Sequence, residues 1–187
     1  MPNRRQFIRN TAKASAAVYI AGMGFSAKSY GRIIGANDRV RVGAIGFSDR
    51  FRQALYPSFS NHYKELNFDI VAVSDLWSKR REEGVAFLKE KMGHDVSGYR
   101  NNEELYASKM VDAVFVATSD FQHALHAIEA VKAGCDAYVE KPFAETMEDN
   151  RTALKAITAT DRIVQSGSQR RSGVKYKAAD EIINSGK

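Results

Sequence analysis

The chain has 187 residues, 44% hydrophobic and 27% charged, with a single cysteine. That length suffices for one ordinary domain with its own core and is too short for two full ones, and Cys135 alone excludes an intramolecular disulfide framework. The formal net charge of +6 does not point to nucleic acid: Arg4, Arg5, Arg9, Lys13, Lys28 and Arg32 account for all of it, and the remaining 152 residues balance 22 basic against 22 acidic side chains. No basic surplus is left to grip a phosphate backbone.

Residues 1–35 open with Asn3-Arg4-Arg5-Gln6-Phe7-Ile8 and continue into a small-residue apolar run from Ala14 to Ala27. A basic start followed by a short apolar stretch is the pattern of a secretory signal, and the run is too short to span a bilayer. The paired arginines ahead of a large apolar residue resemble a twin-arginine signal, which implies export to the periplasm in the folded state without a lasting membrane anchor. A basic, amphipathic start of a cytoplasmic protein is the alternative. Phe25-Ser26-Ala27 supplies small residues for cleavage but no clean Ala-x-Ala.

From Asp38 onward, short apolar runs alternate with helical patterns. Val40 to Ile45 reads as a first strand, Phe68 to Val73 as a second and Ala113 to Ala117 as a third, with Ala137 to Val139 and Ile163-Val164 as short fourth and fifth strands. Runs this apolar suit strands buried on both faces of a parallel sheet. Between them, Val85, Leu88 and Met92 share one helical face. Leu125, Ile128 and Val131 share another, which Gly134 ends, and Ala153, Leu154 and Ile157 mark a third. The alternation predicts a doubly wound, Rossmann-type α/β domain over residues 36–165. Residues 166–187 then begin a second, antiparallel α+β domain of which most is missing.

The first strand runs into Gly46-Phe47-Ser48-Asp49-Arg50-Phe51, where a dinucleotide fold places G-x-G-x-x-G. Only the first glycine is present. Gly46 can make the tight turn, and Ser48 is small enough to let backbone approach a pyrophosphate and adds a hydroxyl. Phe51 replaces the glycine that permits close helix–strand packing, so it should push the helix outward or turn elsewhere. By itself the segment is equally an ordinary strand–turn–helix connection. At the tip of the second strand, Asp75 can accept both ribose hydroxyls of an adenosine and would repel a 2′-phosphate, favouring NAD over NADP; otherwise it caps the helix that starts near Ser78. Asp75 stands 29 residues past Gly46, so the first helix should be long or kinked, with Pro57 as the candidate bend. His123 and His126, three apart, lack a third ligand at metal spacing and read as helix-surface side chains, so no metal site is assigned.

The fourth strand ends in Glu140-Lys141-Pro142. Together with Ala130-Val131-Lys132-Ala133-Gly134 upstream, this resembles the A-x-x-A-G…E-K-P signature of the Gfo/Idh/MocA family, the relatives of glucose–fructose oxidoreductase and inositol dehydrogenase. Ala117-Thr118-Ser119-Asp120 and His123 resemble the family's A-T-P-[DN]-x-x-H, with Ser119 in place of proline. Gln165-Ser166-Gly167-Ser168-Gln169-Arg170-Arg171-Ser172 resembles the Q-x-G-x-Q-R-R-S stretch of its exported members. The resemblance spans residues 38–187.

It implies hydride transfer between a sugar or polyol and bound NAD, with oligomeric full-length proteins. Cofactor contacts are expected from Gly46, Phe47, Ser48, Asp49, Asp75, Thr118, Ser119, Asp120, His123, Glu140 and Lys141, and from Gln169 and Arg170 near the nicotinamide and substrate. Lys141 is the implied catalytic residue. A lysine at a strand tip, partly desolvated and near a nicotinamide cation, is suited to acid–base work near neutrality; otherwise it is a solvated strand end. Family members continue into a sheet domain that supplies much of the sugar pocket, so the sequence reads as a truncated product or a fragment. The alternatives are a glycosidase that uses the cofactor transiently, by oxidation and elimination, and a non-catalytic dinucleotide-binding remnant.

Overall fold

The computed structural model describes residues 39–168 and 173–186. The leader assigned to residues 1–35, and the candidates Gln169 and Arg170, lie outside the described residues. Residues from Val40 onward form one unit.

Strand β1 (Val40–Ile45) leads through a short turn into a helical run with a π-helical stretch at Phe51–Leu55, continuing as α1 (Tyr56–Phe59). Next come β2 (Phe68–Ser74), α2 (Ser78–Met92), β3 (Ser97–Tyr99), α3 (Asn102–Ala107) and β4 (Ala113–Val116). A single 3-10 turn at Asp120–Gln122 starts α4 (His123–Lys132), followed by β5 (Asp136–Glu140), α5 (Met147–Thr158), β6 (Val164–Gly167) and α6 (Val174–Asn184). The strands form one sheet in the order β3-β2-β1-β4-β5-β6, and every pairing is parallel. Chain order reverses between β1 and β4, and a crevice opens beyond the carboxyl ends of strands at such a point. The predicted Rossmann-type class is therefore the observed one.

Two cores sandwich the sheet. On one face Val42, Ala44, Ile70 and Val73 pack with Phe47, Phe51, Leu55, Phe59 and Leu88. On the other, Ile45, Ala72, Val114, Val116, Ala137 and Val139 meet Leu105, Ala127, Ala130 and Cys135. A register shift between β1 and β2 at Val42/Gly43 accounts for Val71 and Ala72 both reaching the second face while Ile70 and Val73 keep the first, because an extra residue breaks strict alternation.

The structure corrects several sequence expectations. β3 has no apolar run to mark it in the sequence; it forms because Ser97, Gly98 and Tyr99 pair with Ala72, Val73 and Ser74 at the sheet edge. The last strand lies at Val164–Gly167, and Ile163 is exposed. On α4 the buried residues include His123, Ala124, Ala127 and Ala130, whereas Leu125 is exposed; on α5 Ala153 is buried and Leu154 exposed. The core-facing side of both helices therefore includes small side chains, while these leucines face outward. Gly134, with φ +83°, does end α4, as glycine at a left-handed cap should.

Phe51 packs between its helix and the sheet. It is fully buried, with ring centroids 5.8 Å from Phe47, 6.4 Å from Phe59 and 6.3 Å from Phe115. The widened π turn accommodates it just ahead of Pro57, which has no N–H to return to the preceding turn. The long separation between Gly46 and Asp75 is taken up by this helix and the turn over residues 60–67. Phe51→Ala is expected to lower unfolding free energy by about 3–5 kcal/mol, since it opens a cavity inside an aromatic cluster; a urea titration followed by circular dichroism measures it.

Candidate functional site

Gly46 donates its N–H to Ser74 O at 2.8 Å and adopts φ +81°. A Cβ built there would stand 2.8 Å from Thr118 Cγ2 and 3.0 Å from Ala117 O. Glycine is therefore required both for the left-handed conformation and for the close approach of the β1 and β4 tips. The next amide, Phe47 N, donates to Asp75 Oδ2 at 2.9 Å, while Trp77 N donates to Asp75 Oδ1 at 2.9 Å. Asp75 is held from its backbone as well: its N–H donates to Tyr99 O at 3.1 Å and its carbonyl accepts from Arg81 Nη1 at 2.9 Å. It is not the N-cap of α2, a position taken by Trp77 with no side-chain bond.

Ser48 Oγ accepts from Phe51 N at 3.2 Å, so the hydroxyl caps the helix that follows and keeps its own proton for donation. Asp49 is exposed, and its Oδ1 pairs with Arg52 Nη2 at 2.9 Å and Arg80 Nη1 at 3.4 Å. These two cations offset a carboxylate that would otherwise oppose an anion at this helix start.

These groups surround a cleft of about 610 Å³. Its walls include Gly46, Phe47, Ser48 and Asp49 after β1, Asp75, Leu76, Trp77 and Arg80 after β2, Asn101 and Asn102 before and in α3, Thr118 and Ser119 after β4, and Gln122, His126 and Glu129 along α4. Of the sequence candidates, Gly46, Phe47, Ser48, Asp49, Asp75, Thr118 and Ser119 thus meet in one cleft. Phe47 contributes through its backbone, since its ring is buried and rests on Gly84 of α2, where a Cβ would lie 2.7 Å from the ring. Thr118 Oγ1 is buried and has no hydrogen-bond partner among the described residues.

The other candidates stand apart from the cleft walls. His123 is buried, not on the helix surface as the sequence suggested: Nδ1 lies 2.7 Å from Pro142 O and Nε2 3.2 Å from Thr118 O. Both ring nitrogens thus face backbone carbonyl oxygens. The ring ties the loop after β5 to the loop after β4. Asp120 is exposed. Glu140 is buried, with Oε1 2.9 Å from Arg50 Nη2 and Oε2 accepting from Lys141 N at 3.1 Å. Burial and the negative charge of Glu140 hold the neighbouring Tyr138 hydroxyl above the usual phenol range, against the opposing pull of Arg50. Lys141 is exposed.

Ser74, Asn102 and Glu129 also meet here with His126, which is partly buried and not on the helix surface as the sequence suggested. Ser74 Oγ donates to Asn102 Oδ1 at 2.7 Å, Asn102 Nδ2 donates to Glu129 Oε2 at 2.8 Å, and His126 Nδ1 lies 2.9 Å from the same oxygen. No local motif announces this group, because it comes from three elements and depends on the short strand β3.

The cleft at the chain reversal, the glycine turn and the braced acidic residue at the β2 tip define a dinucleotide-binding α/β domain. The sequence profile described as the oxidoreductase family GFO_IDH_MocA, NAD-binding Rossmann fold, matches residues 40–168. The chain belongs to that family. It is 30% identical over 153 residues to inositol 2-dehydrogenase of Rubrobacter xylanophilus, covering 81% of this chain and 42% of that protein. Two solved structures share the fold: myo-inositol 2-dehydrogenase of Lactobacillus plantarum (24% identity, TM-score 0.63, 79% of this chain and 42% of that one), and the WlbA dehydrogenase of Bordetella pertussis in complex with NADH and UDP-GlcNAcA (21% identity, TM-score 0.67, 79% and 42%). The chain thus spans about two fifths of the length of these proteins.

Asp75→Ala is expected to accelerate amide hydrogen exchange at Phe47 and Trp77 by about tenfold or more, as both lose a charge-assisted acceptor; exchange followed by NMR checks it.

Proposed function

We propose that the protein is an NAD-dependent oxidoreductase moving hydride between a sugar or polyol and the nicotinamide. The observation that carries this reading is the cleft itself, in which a required glycine turn and a braced carboxylate stand where a dinucleotide's pyrophosphate and ribose are held. The residues present fit the cofactor. Gly46 leaves a cradle that any Cβ would fill, Ser48 keeps a donor proton, and the orphaned Thr118 Oγ1 offers a hydroxyl. When bound, NAD supplies the hydride acceptor. Asp75, already accepting from two backbone amides, retains lone pairs for the ribose hydroxyls and disfavours a 2′-phosphate.

Lys141 is the proposed acid–base residue. Support comes from its position at the β5 tip, where Glu140 fixes the Lys141 amide and is itself held by Arg50. The names of the relatives favour a polyol such as an inositol as substrate, and no observation favours the glycoside-cleaving alternative. Export by the twin-arginine route remains part of the proposal, on the strength of Arg4-Arg5-Gln6-Phe7-Ile8; replacing both Arg4 and Arg5 with lysine is expected to retain the protein in the cytoplasm, read by cell fractionation, and unchanged export rejects that route.

Trp77 is the sole tryptophan of the chain and lines the cleft. Titration with NADH is expected to quench its emission with saturation and to sensitise the nicotinamide fluorescence; no change on an intact fold overturns the reading. In the complete protein, Lys141→Ala should leave the cofactor bound and lower polyol oxidation by about 100-fold or more.

A further inference from the structure

With its side chain exposed, Lys141 is aimed by the backbone that carries it, and that backbone stands where sheet pairing runs out. The register between β4 and β5 ends at Val116 and Val139, and Glu140 is paired in the sheet with Gly167 of β6. Beyond Val139, side-chain contacts take over. His123 Nδ1 lies 2.7 Å from Pro142 O on one side of the lysine. On the other, Arg50 Nη2 donates to Glu140 Oε1 at 2.9 Å, and the second oxygen of that buried carboxylate accepts from Lys141 N at 3.1 Å. Arg50 belongs to the helical run after the glycine turn, 90 positions away in sequence. Arg52 and Arg80 are directed to Asp49, so the reach across to β5 falls to Arg50.

We infer that Arg50 is a positioning residue for the proposed hydride transfer: through the buried Glu140 it fixes the backbone of Lys141 relative to the glycine turn. This inference rests on the reading of Lys141 as the acid–base residue and extends it to a side chain outside the cleft walls. Glu140 needs the cation because an uncompensated buried carboxylate is unstable, and without it the acceptor of the Lys141 amide is no longer held. A displacement of about 1 Å at a reacting group costs on the order of 100-fold in rate.

In the complete protein, Arg50→Met is expected to lower kcat for polyol oxidation by about tenfold or more. The KM for NAD and the NADH titration of Trp77 should stay within about twofold, because the cofactor's own contacts are untouched. In the full chain the same substitution should speed amide hydrogen exchange at Lys141 by about fivefold or more, followed by NMR. Combining Arg50→Met with Glu140→Gln removes both charges of the pair and separates positioning from stability. This double variant should regain the thermal stability lost by Arg50→Met while its kcat remains about tenfold down. A kcat restored along with stability, a kcat within about twofold in folded Arg50→Met, or unchanged exchange at Lys141 overturns the inference and leaves the acid–base reading standing. Unchanged turnover in Lys141→Ala overturns both.

Discussion

The meeting of the β1 and β4 tips at Gly46 is the constraint on which the molecule depends. Parallel pairing sets Ile45 beside Val116, and the chain must then turn away within a space where any Cβ would strike Thr118 and Ala117. The left-handed glycine solves both problems together. Its own amide is bound to the β2 tip through Ser74, and the amide after it through Asp75. Three strands are thus fixed to one another at the edge where the cleft opens, so the turn arrives with its geometry already set.

That rigidity depends on what lies beneath. The aromatic residues between the π-helical stretch and the sheet fill the space that a helix packed on a third glycine would occupy. The Phe59 and Phe115 rings stack at 5.1 Å, and Phe47 closes on Gly84. On the opposite face, Ala127 and Ala130 of α4 pack into the core, and His126 and Glu129 of the same helix line the cleft.

Charge placement follows the same economy. Asp49 is balanced by Arg52 and Arg80, and the buried Glu140 by Arg50. Removal of Arg50 would leave Glu140 as a buried carboxylate without that cation, a costly state. The Arg50–Glu140 pair joins the helix after the glycine turn to the tip of β5, so the segment bearing Lys141 is referenced to the same frame as Gly46.

The alternation of apolar runs with helical patterns was enough to give a parallel, doubly wound sheet, because strands buried on both faces must be apolar throughout. Gly46 and Asp75 were legible too, since backbone conformation and charge at strand tips are written in single residues. Strand β3 was not: an edge strand buries little, so Ser97-Gly98-Tyr99 leaves no hydrophobic trace and its pairing is decided by β2. The exposure of Leu125 and Leu154 and the burial of His123 were hidden for a related reason, as periodicity marks a helix but not how near it lies to the sheet. Tertiary packing alone decided that Phe51 would meet Phe115 and that Asn102 would meet His126 and Glu129, because contacts between residues more than twenty positions apart exist only once the sheet has brought their elements together.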